Sequence, residues 1–571
     1  MMKFNMQRFI ASIKCCFSLI LAIICVMLPA GISKAERFAS EGGFITINKN
    51  AQDYYTFSSP INSYLYVNKD NTITRVEYYQ NEIVYENYDK NFKLISSGKI
   101  KKELELFGGF FAGENANFIV FGQTNKKESK NKEVLRIVKY SKDFKRISSV
   151  SIKDCNTTIP FHAGSLRFAE AGNMLYIRSS HEMYKTPDRI NHQASMAVTV
   201  NTSTMKITYS VLGYVSHSFN QFVKVNGSEL LAVDHGDGYP RAVVLMKYEK
   251  PAGEIDNEDD YTDMVESVKL LEFPGMAGDN YTGASVGGFE ASASSYLVAG
   301  NYANTGSEDV RNIFLSITAN GQLSKKNTKL VYLTDYDKNS KVTTSTPQLV
   351  KINDDRFMIL WEAIGRGYNV ELHYIIVDGE GEKLSKVKKV RGFLSDCQPI
   401  VYNDKVTWYY TNETSPIFCT LPTDGSDPVN NMAKDDKVTV NNIIYTVSES
   451  SSKSKTLTVY DFINKKVSSI TIPDTVKVNG ETFQVTEIDA AVFEQCYNLK
   501  TVVLGSNLTN ISNLCMPSNV KKIVLKSTKV KSFDKEAFKN VSKSAVMQVP
   551  KSKLSTYKKL IKGNFKVEAI K

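Results

Sequence analysis

One short pattern returns five times between residues 83 and 384, and its spacing restricts the possible folds more than any single motif does. An alternating apolar stretch runs into a turn of Asp, Asn, Gly or Ser, and a polar stretch with Leu or Ile near its start follows. The copies span residues 83–94, 134–147, 196–207, 313–323 and 372–384. Their turns begin near 89, 141, 201, 318 and 378, in steps of 52, 60, 117 and 60, where 117 is two units of about 58. The absent copy falls after Val243-Val-Leu-Met-Lys-Tyr248, where an acidic run, residues 254–263, is inserted. Each unit has room for four short strands. The composition is in keeping, with 30 Tyr and 29 Phe and no long Ala/Glu/Leu-rich stretch for a helical bundle. All-strand units of this size fit the blades of a β-propeller, in which radial closure protects the sheet edges. The spacing predicts about seven blades: 61–105, 106–155, 156–212, 213–272, 273–335, 336–395 and 397–422. The last holds only about three strands, and residues 43–57, including Phe44-Ile-Thr-Ile47, are expected to add the fourth and close the ring. An array of β-sandwiches is the structural alternative.

A shorter period takes over from Ser468, after a linker and hairpin lead-in at 426–467. Ile488-Asp-Ala-Ala-Val-Phe493, Ile511-Ser-Asn-Leu-Cys515 and Phe533-Asp-Lys-Glu-Ala-Phe538 recur at 23 and 22 residues, interleaved with short strands at 501–504, 522–525 and 546–549. A strand plus a turn at this period reads as a short leucine-rich-repeat solenoid. Ile470-Thr-Ile-Pro-Asp-Thr-Val476, Val485-Thr-Glu-Ile488, the stretch 491–502 and Val549-Pro-Lys-Ser-Lys-Leu-Ser-Thr-Tyr-Lys558 resemble the BspA-type repeats of bacterial surface proteins. That resemblance covers residues 468–571 and implies surface display and binding to host proteins, glycans or cells. At 511–518 the usual Ala-Phe is replaced by Leu514-Cys515.

The first residues carry Lys3, Arg8 and Lys14 ahead of an apolar run, 15–28, and the small-x-small triplet Ser33-Lys34-Ala35. This is the pattern of a secretory signal peptide, residues 1–35, cleaved after Ala35; an uncleaved anchor is the alternative. The expected location is therefore extracellular and cell-surface associated, with no integral membrane span after cleavage. Five cysteines would remain, 155, 397, 419, 496 and 515, which is no disulfide framework. If two of them oxidise, Cys397 and Cys419 are the first choice. The net charge of +11 divides unevenly along the chain. Residues 434–571 hold 23 Lys against 12 acidic residues, and the leader holds +4, so residues 36–433 are slightly acidic. For an exported chain this points away from nucleic acid and toward an anionic cell-wall polymer as the partner of the basic end.

Five of the six histidines fall within residues 162–235. His162 and His217 each open the first strand of a unit, His181 and His235 close the second strand, and His192 and Arg241 precede the third. Antiparallel order returns all of these positions to one face. With Asp234, Asp237 and Tyr239, the segments around them supply donors, acceptors and glycines suited to a polar ligand, a glycan or a protein. A binding protein is the leading expectation. An extracellular hydrolase, lyase or transferase using His162, His217 or His235 is the alternative. No cofactor is expected, although a transition metal held with Asp234 or Asp237 fits the residue types, and Asp335-Tyr-Asp337-Lys-Asn339 starts like a calcium loop without completing one. Gly283-Ala-Ser285-Val-Gly287 opens a strand and so is no nucleophile elbow. Trp361 and Trp408 are expected in the core.

Overall fold

The computed structural model describes residues 33–40, 42–48, 60–248, 264–307, 309–365, 370–426, 436–450, 454–478 and 481–570. The expected leader up to residue 32 and the acidic run 254–263 lie outside them. Two compact units divide the chain, residues 1–428 and 429–571.

In the first unit, consecutive stretches of chain each fold into one antiparallel meander, of four or five strands in the first six and three in the last. They span 63–101, 106–152, 159–216, 218–272, 284–332, 343–391 and 400–422. What makes them a ring is the packing between them. Seven apolar clusters each join one sheet to the next: Val76 with Phe121, Phe118 with Leu175, Tyr176 with Val244, Leu231 with Tyr296, Leu315 with Trp361, and Tyr374 with Trp408. The seventh joins Tyr409 and Phe418 of the last sheet to Tyr88 and Phe92 of the first. Every sheet is thus covered on both faces, which only radial stacking achieves for a meander this short. Both tryptophans are fully buried.

The recurring turn that marks the repeat has a packing role. Phe92, Phe144 and Met205 sit at φ +60°, +60° and +54°. Each closes a turn through its backbone N–H, onto Asp89, Ser141 and Asn201, and each is buried. Burying a large apolar side chain offsets the cost of a left-handed backbone there.

Ring closure differs from the expectation. The fourth strand of the last sheet is Glu36–Ala39, antiparallel to Ile417–Pro422, while Ser33–Lys34 runs parallel to the edge of the sixth sheet at Val390 and Arg391. Phe38 joins the aromatic stack of the seventh cluster, 5.0 Å from the Phe92 ring centroid. Phe44-Ile-Thr-Ile47 supplies a separate two-residue pairing, Thr46–Ile47 with Asn412–Thr414. An outer blade strand exposes one side to water, so Glu36-Arg-Phe-Ala carries a weaker apolar signal than Phe44-Ile-Thr-Ile does. The 43–48 segment is held instead by buried polar groups. Arg75 donates to the Phe44 carbonyl at 3.0 Å and to Glu77 and Glu86, and Asn48 accepts from the Thr411 N–H at 2.6 Å.

All five described cysteines are free thiols. Cys397 belongs to the cluster between the last and first sheets, and Cys419 to the one between the sixth and last. The expected pair therefore points to opposite sides of one sheet.

The second unit is built on one apolar core running from Ile443 to Ile561. Its parallel sheet stacks Ser469–Thr471, Thr501–Leu504, Lys522–Leu525, Val546–Val549 and Lys566–Ala569. Val502, Leu504, Ile523, Leu525, Met547 and Val549 point inward and their neighbours outward, the period of two that a half-buried strand requires. At the departure from the repeat pattern, Leu514 fills the core position and Cys515 takes φ +50°. No helix among the described residues is long and apolar enough to cross a membrane.

Candidate functional site

The strand order brings the histidine segments to one face of the third and fourth sheets. His162 lies in the connection ahead of Arg167–Ala171, and His217 directly ahead of Ser218–Asn226. His181 and His235 lie in the second strands, Met174–Lys185 and Glu229–Gly236. His192 starts the third strand of its sheet, Asn191–Asn201, and Arg241 precedes Ala242–Tyr248.

Burial then separates these residues into three groups. The first is sealed. His181 is fully buried, with Nδ1 2.6 Å from the Thr157 hydroxyl, and desolvation lowers its pKa to about 4. His235 is buried with Nε2 2.7 Å from Thr282 Oγ1, its ring packed edge-on against Phe219 and Phe273, and desolvation lowers its pKa to about 3. Both imidazoles are neutral at physiological pH. Asp234 accepts from the Ser218 hydroxyl at 2.6 Å, and burial pushes its pKa up to about 7 against the opposing pull of Ser218 and Arg178.

The second group is a clamp. Asp237 is fully buried and accepts from Arg241 at 2.7 Å, from the Gly278 N–H at 2.8 Å and from the Asn280 N–H at 2.5 Å. Arg241 also donates to Asp279 at 3.0 Å and to the carbonyls of Pro274 and Tyr281. Together they fix the connection that leads from the fourth sheet to the fifth. Every donor direction of the guanidinium is used within the protein.

The third group faces solvent: His162 is exposed, His192 and His217 are partly exposed, and Tyr239 is 72% exposed. One residue absent from the sequence expectation organises them. Gln193 donates from its side chain to the carbonyls of His162, at 2.9 Å, and of Ser218. Its side-chain oxygen accepts from the Ser218 N–H at 2.5 Å, and its backbone carbonyl accepts from the His217 N–H at 2.8 Å. Two connections, at His162 and at His217–Ser218, are thereby tied to the strand that carries Gln193. The His192 and His217 rings lie 6.5 Å apart, and His192 is paired with Asp188 at 2.7 Å.

Arg167, on the inner strand of the third sheet, also escaped the sequence reading. Its guanidinium lies 4.5 Å over the Phe222 ring, and its buried Nε has no hydrogen-bond partner among the described residues. Nothing in Ser165-Leu-Arg-Phe168 distinguishes that position from an ordinary strand residue. Gln193 was legible only as the neighbour of His192. Among the described residues, no group of three or more His, Cys, Asp or Glu side chains is arranged to hold a metal ion. Ser285 lies in a strand and bonds Asn301 at 2.7 Å.

In the second unit the charge is concentrated further than the sequence division indicated. Residues 500–571 hold 16 Lys against 3 acidic residues, whereas 434–499 hold 7 Lys against 9. Stacking sets such lysines side by side, as where the Lys521 N–H bonds the Lys500 carbonyl of the preceding turn at 2.8 Å.

Residues 455–571 match the BspA type leucine rich repeat region, in six copies. Among solved structures, the chain is similar to the Dos1 propeller (TM-score 0.34, 10% identity, 57% of this chain and 70% of that one). It is also similar to the β-propeller domain of Cps50 (Swd1) from Myceliophteria thermophila (TM-score 0.37, 10% identity, 65% and 100%), and to the hemagglutinin-neuraminidase of parainfluenza virus 5 (TM-score 0.34, 9% identity, 68% and 95%). No curated protein matches the chain.

Proposed function

We propose that the protein is an exported, cell-surface binding protein, with its propeller taking a polar ligand, a glycan or a protein, at the rim formed by His162, His192, His217 and Tyr239. Its basic leucine-rich turns hold an anionic partner, a cell-wall polymer being the simplest. The observation that carries the first part is the Gln193 staple. A buried residue that fixes the connections at His162 and His217 to the strand of His192, all three imidazoles reaching solvent, builds a preorganised polar surface, which lowers the ordering cost of binding. Binding is favoured over catalysis because the most strongly perturbed groups on this face, His181, Asp234 and His235, are sealed from any substrate. The second part rests on the charge of residues 500–571 and on the BspA-type repeat match.

The test is a glycan and host-protein array probed with the full chain and with a His162→Ala, His192→Ala, Tyr239→Ala variant. Binding that the variant loses by about tenfold or more supports the rim, since polar contacts of this kind contribute on the order of 1–3 kcal/mol together. Array binding unchanged in the variant would falsify it. Deleting residues 434–571 should release the protein from cells into the medium, and unchanged retention removes the basic module as the anchor.

A further inference from the structure

The connection between the second and third strands of the second sheet, Gln123-Thr-Asn-Lys-Lys-Glu-Ser-Lys-Asn-Lys-Glu133, opens on the same face as the histidine rim. It borders an open cavity of about 450 Å³ lined by Lys126, Lys127 and Lys132 with Thr124, Asn125, Ser129 and Asn131.

The loop is built rather than loose. Asn125 is buried; its N–H donates to the Thr158 carbonyl at 2.6 Å and its side-chain amide to Tyr184 at 2.9 Å and to the Ser129 carbonyl at 3.1 Å. Glu128 takes φ +52°. Both acids of the loop face away from the cavity. Glu128 accepts from the Lys185 N–H at 3.0 Å and from Asn191 at 3.1 Å. Glu133 is clasped by Arg136 at 2.8 and 2.6 Å. Lys130 pairs with Asp154 at 3.4 Å. The three lining lysines make no ion pair among the described residues, so the loop's negative charge is spent elsewhere and its positive charge converges on one concavity.

We infer that this cavity is an anion-binding site for an acidic polysaccharide, independent of the histidine rim. The lysines meet a sulfate or carboxylate group, and the Ser129 hydroxyl and the Asn131 amide meet sugar hydroxyls. No aromatic or aliphatic residue lines it to receive a peptide side chain. Against a small free anion stands the breadth of the lining, three lysines with Ser129 and Asn131 among them, which gives a sugar unit and its substituent separate contacts.

Residue-resolved lysine acetylation of the full chain reads this site apart from the basic C-terminal module. With short sulfated dextran or with oligogalacturonate, acetylation of Lys126, Lys127 and Lys132 should slow about threefold or more, and the effect should vanish near 0.5 M salt. Lys90, in a turn at the opposite ends of the strands, is the control. Protection by one polymer and not the other identifies the acidic group. Equal protection by neutral dextran, or no difference from Lys90, overturns the inference. A Lys127→Glu variant should keep its Tm and lose the protection at Lys126 and Lys132. A His162→Ala, His192→Ala variant should keep it. Loss of protection in the histidine variant would make the cavity an extension of the rim and overturn its independence; failure of the array experiment alone would leave the cavity standing.

Discussion

Gln193 donates to the carbonyl oxygen of His162 at 2.9 Å across 31 residues of chain, and its own carbonyl accepts from His217 24 residues further on. A buried amide that satisfies backbone groups of two other loops serves both stability and site geometry, and the two roles separate experimentally.

Gln193→Ala leaves the buried Ser218 N–H without its acceptor and removes one of the two donors to the His162 carbonyl, which keeps the Ser180 hydroxyl. The expected loss is about 1–3 kcal/mol of unfolding free energy, read by urea denaturation. Ligand binding at the rim should fall further than His192→Ala alone makes it fall, because the staple positions the connections at both His162 and His217.

Asp237→Ala removes one of the two carboxylates that hold Arg241 and the acceptor of the Asn280 N–H, while Arg241 keeps Asp279 and the Gly278 N–H keeps the backbone carbonyl of residue 237. The expected loss is about 1–3 kcal/mol. Hydrogen exchange at Asn280 should accelerate while exchange in the second sheet stays unchanged.

The buried carboxyl of Asp234, raised to about 7 by desolvation, gives a signed pH dependence. Between about pH 4 and pH 7 the folded chain keeps a proton that the unfolded chain has released, so this group's contribution is full below about pH 4 and is lost as pH rises through 7. Glu77 (about 7) and Asp396 (about 6), both raised by burial, act with the same sign. His181 and His235, with depressed values, act oppositely and lose stability as pH falls below about 6.5. The comparison is therefore between variants. Asp234→Asn should be more stable than the parent at pH 8, by an amount on the order of 1–3 kcal/mol, and nearly equal to it at pH 4. A constant Tm difference across that range would contradict the assignment.

Arg75→Met leaves Glu77 and Glu86 buried without their counter-charge and cuts the bond to the Phe44 carbonyl. A loss of about 3–5 kcal/mol is expected, together with faster hydrogen exchange within residues 43–48.

The units of the ring were legible because a period near 58 survives in the turns, and a turn that seats Phe92, Phe144 or Met205 in the core tolerates few substitutes. The shared histidine face was legible from antiparallel counting alone. Exposure was not. Leu230-Leu-Ala-Val-Asp-His-Gly236 lies in a strand covered on both faces, so no alternation separates His235 from a solvent-facing residue, whereas exposed Tyr239 sits three residues beyond that strand. The Asp237–Arg241 pair has a spacing that fits ligand capture and a loop clamp equally. Only the carbonyls of Pro274 and Tyr281, in a connection more than thirty residues away, decide for the clamp.

The strand that completes the last sheet bonds across nearly the whole propeller: Glu36 and Thr420 meet 384 residues apart. Six sheets can assemble from neighbouring segments as they become available, but the seventh waits for both ends. Loop-closure entropy at that separation makes the step slow relative to the local meanders. Until it happens the faces of the first and last sheets, with Tyr88, Phe92, Tyr409 and Phe418, remain wet. The chain is then an open stack with two sticky ends, and the vulnerable period in its maturation is the interval before Glu36–Ala39 docks, when another copy's free end offers the same aromatic surface.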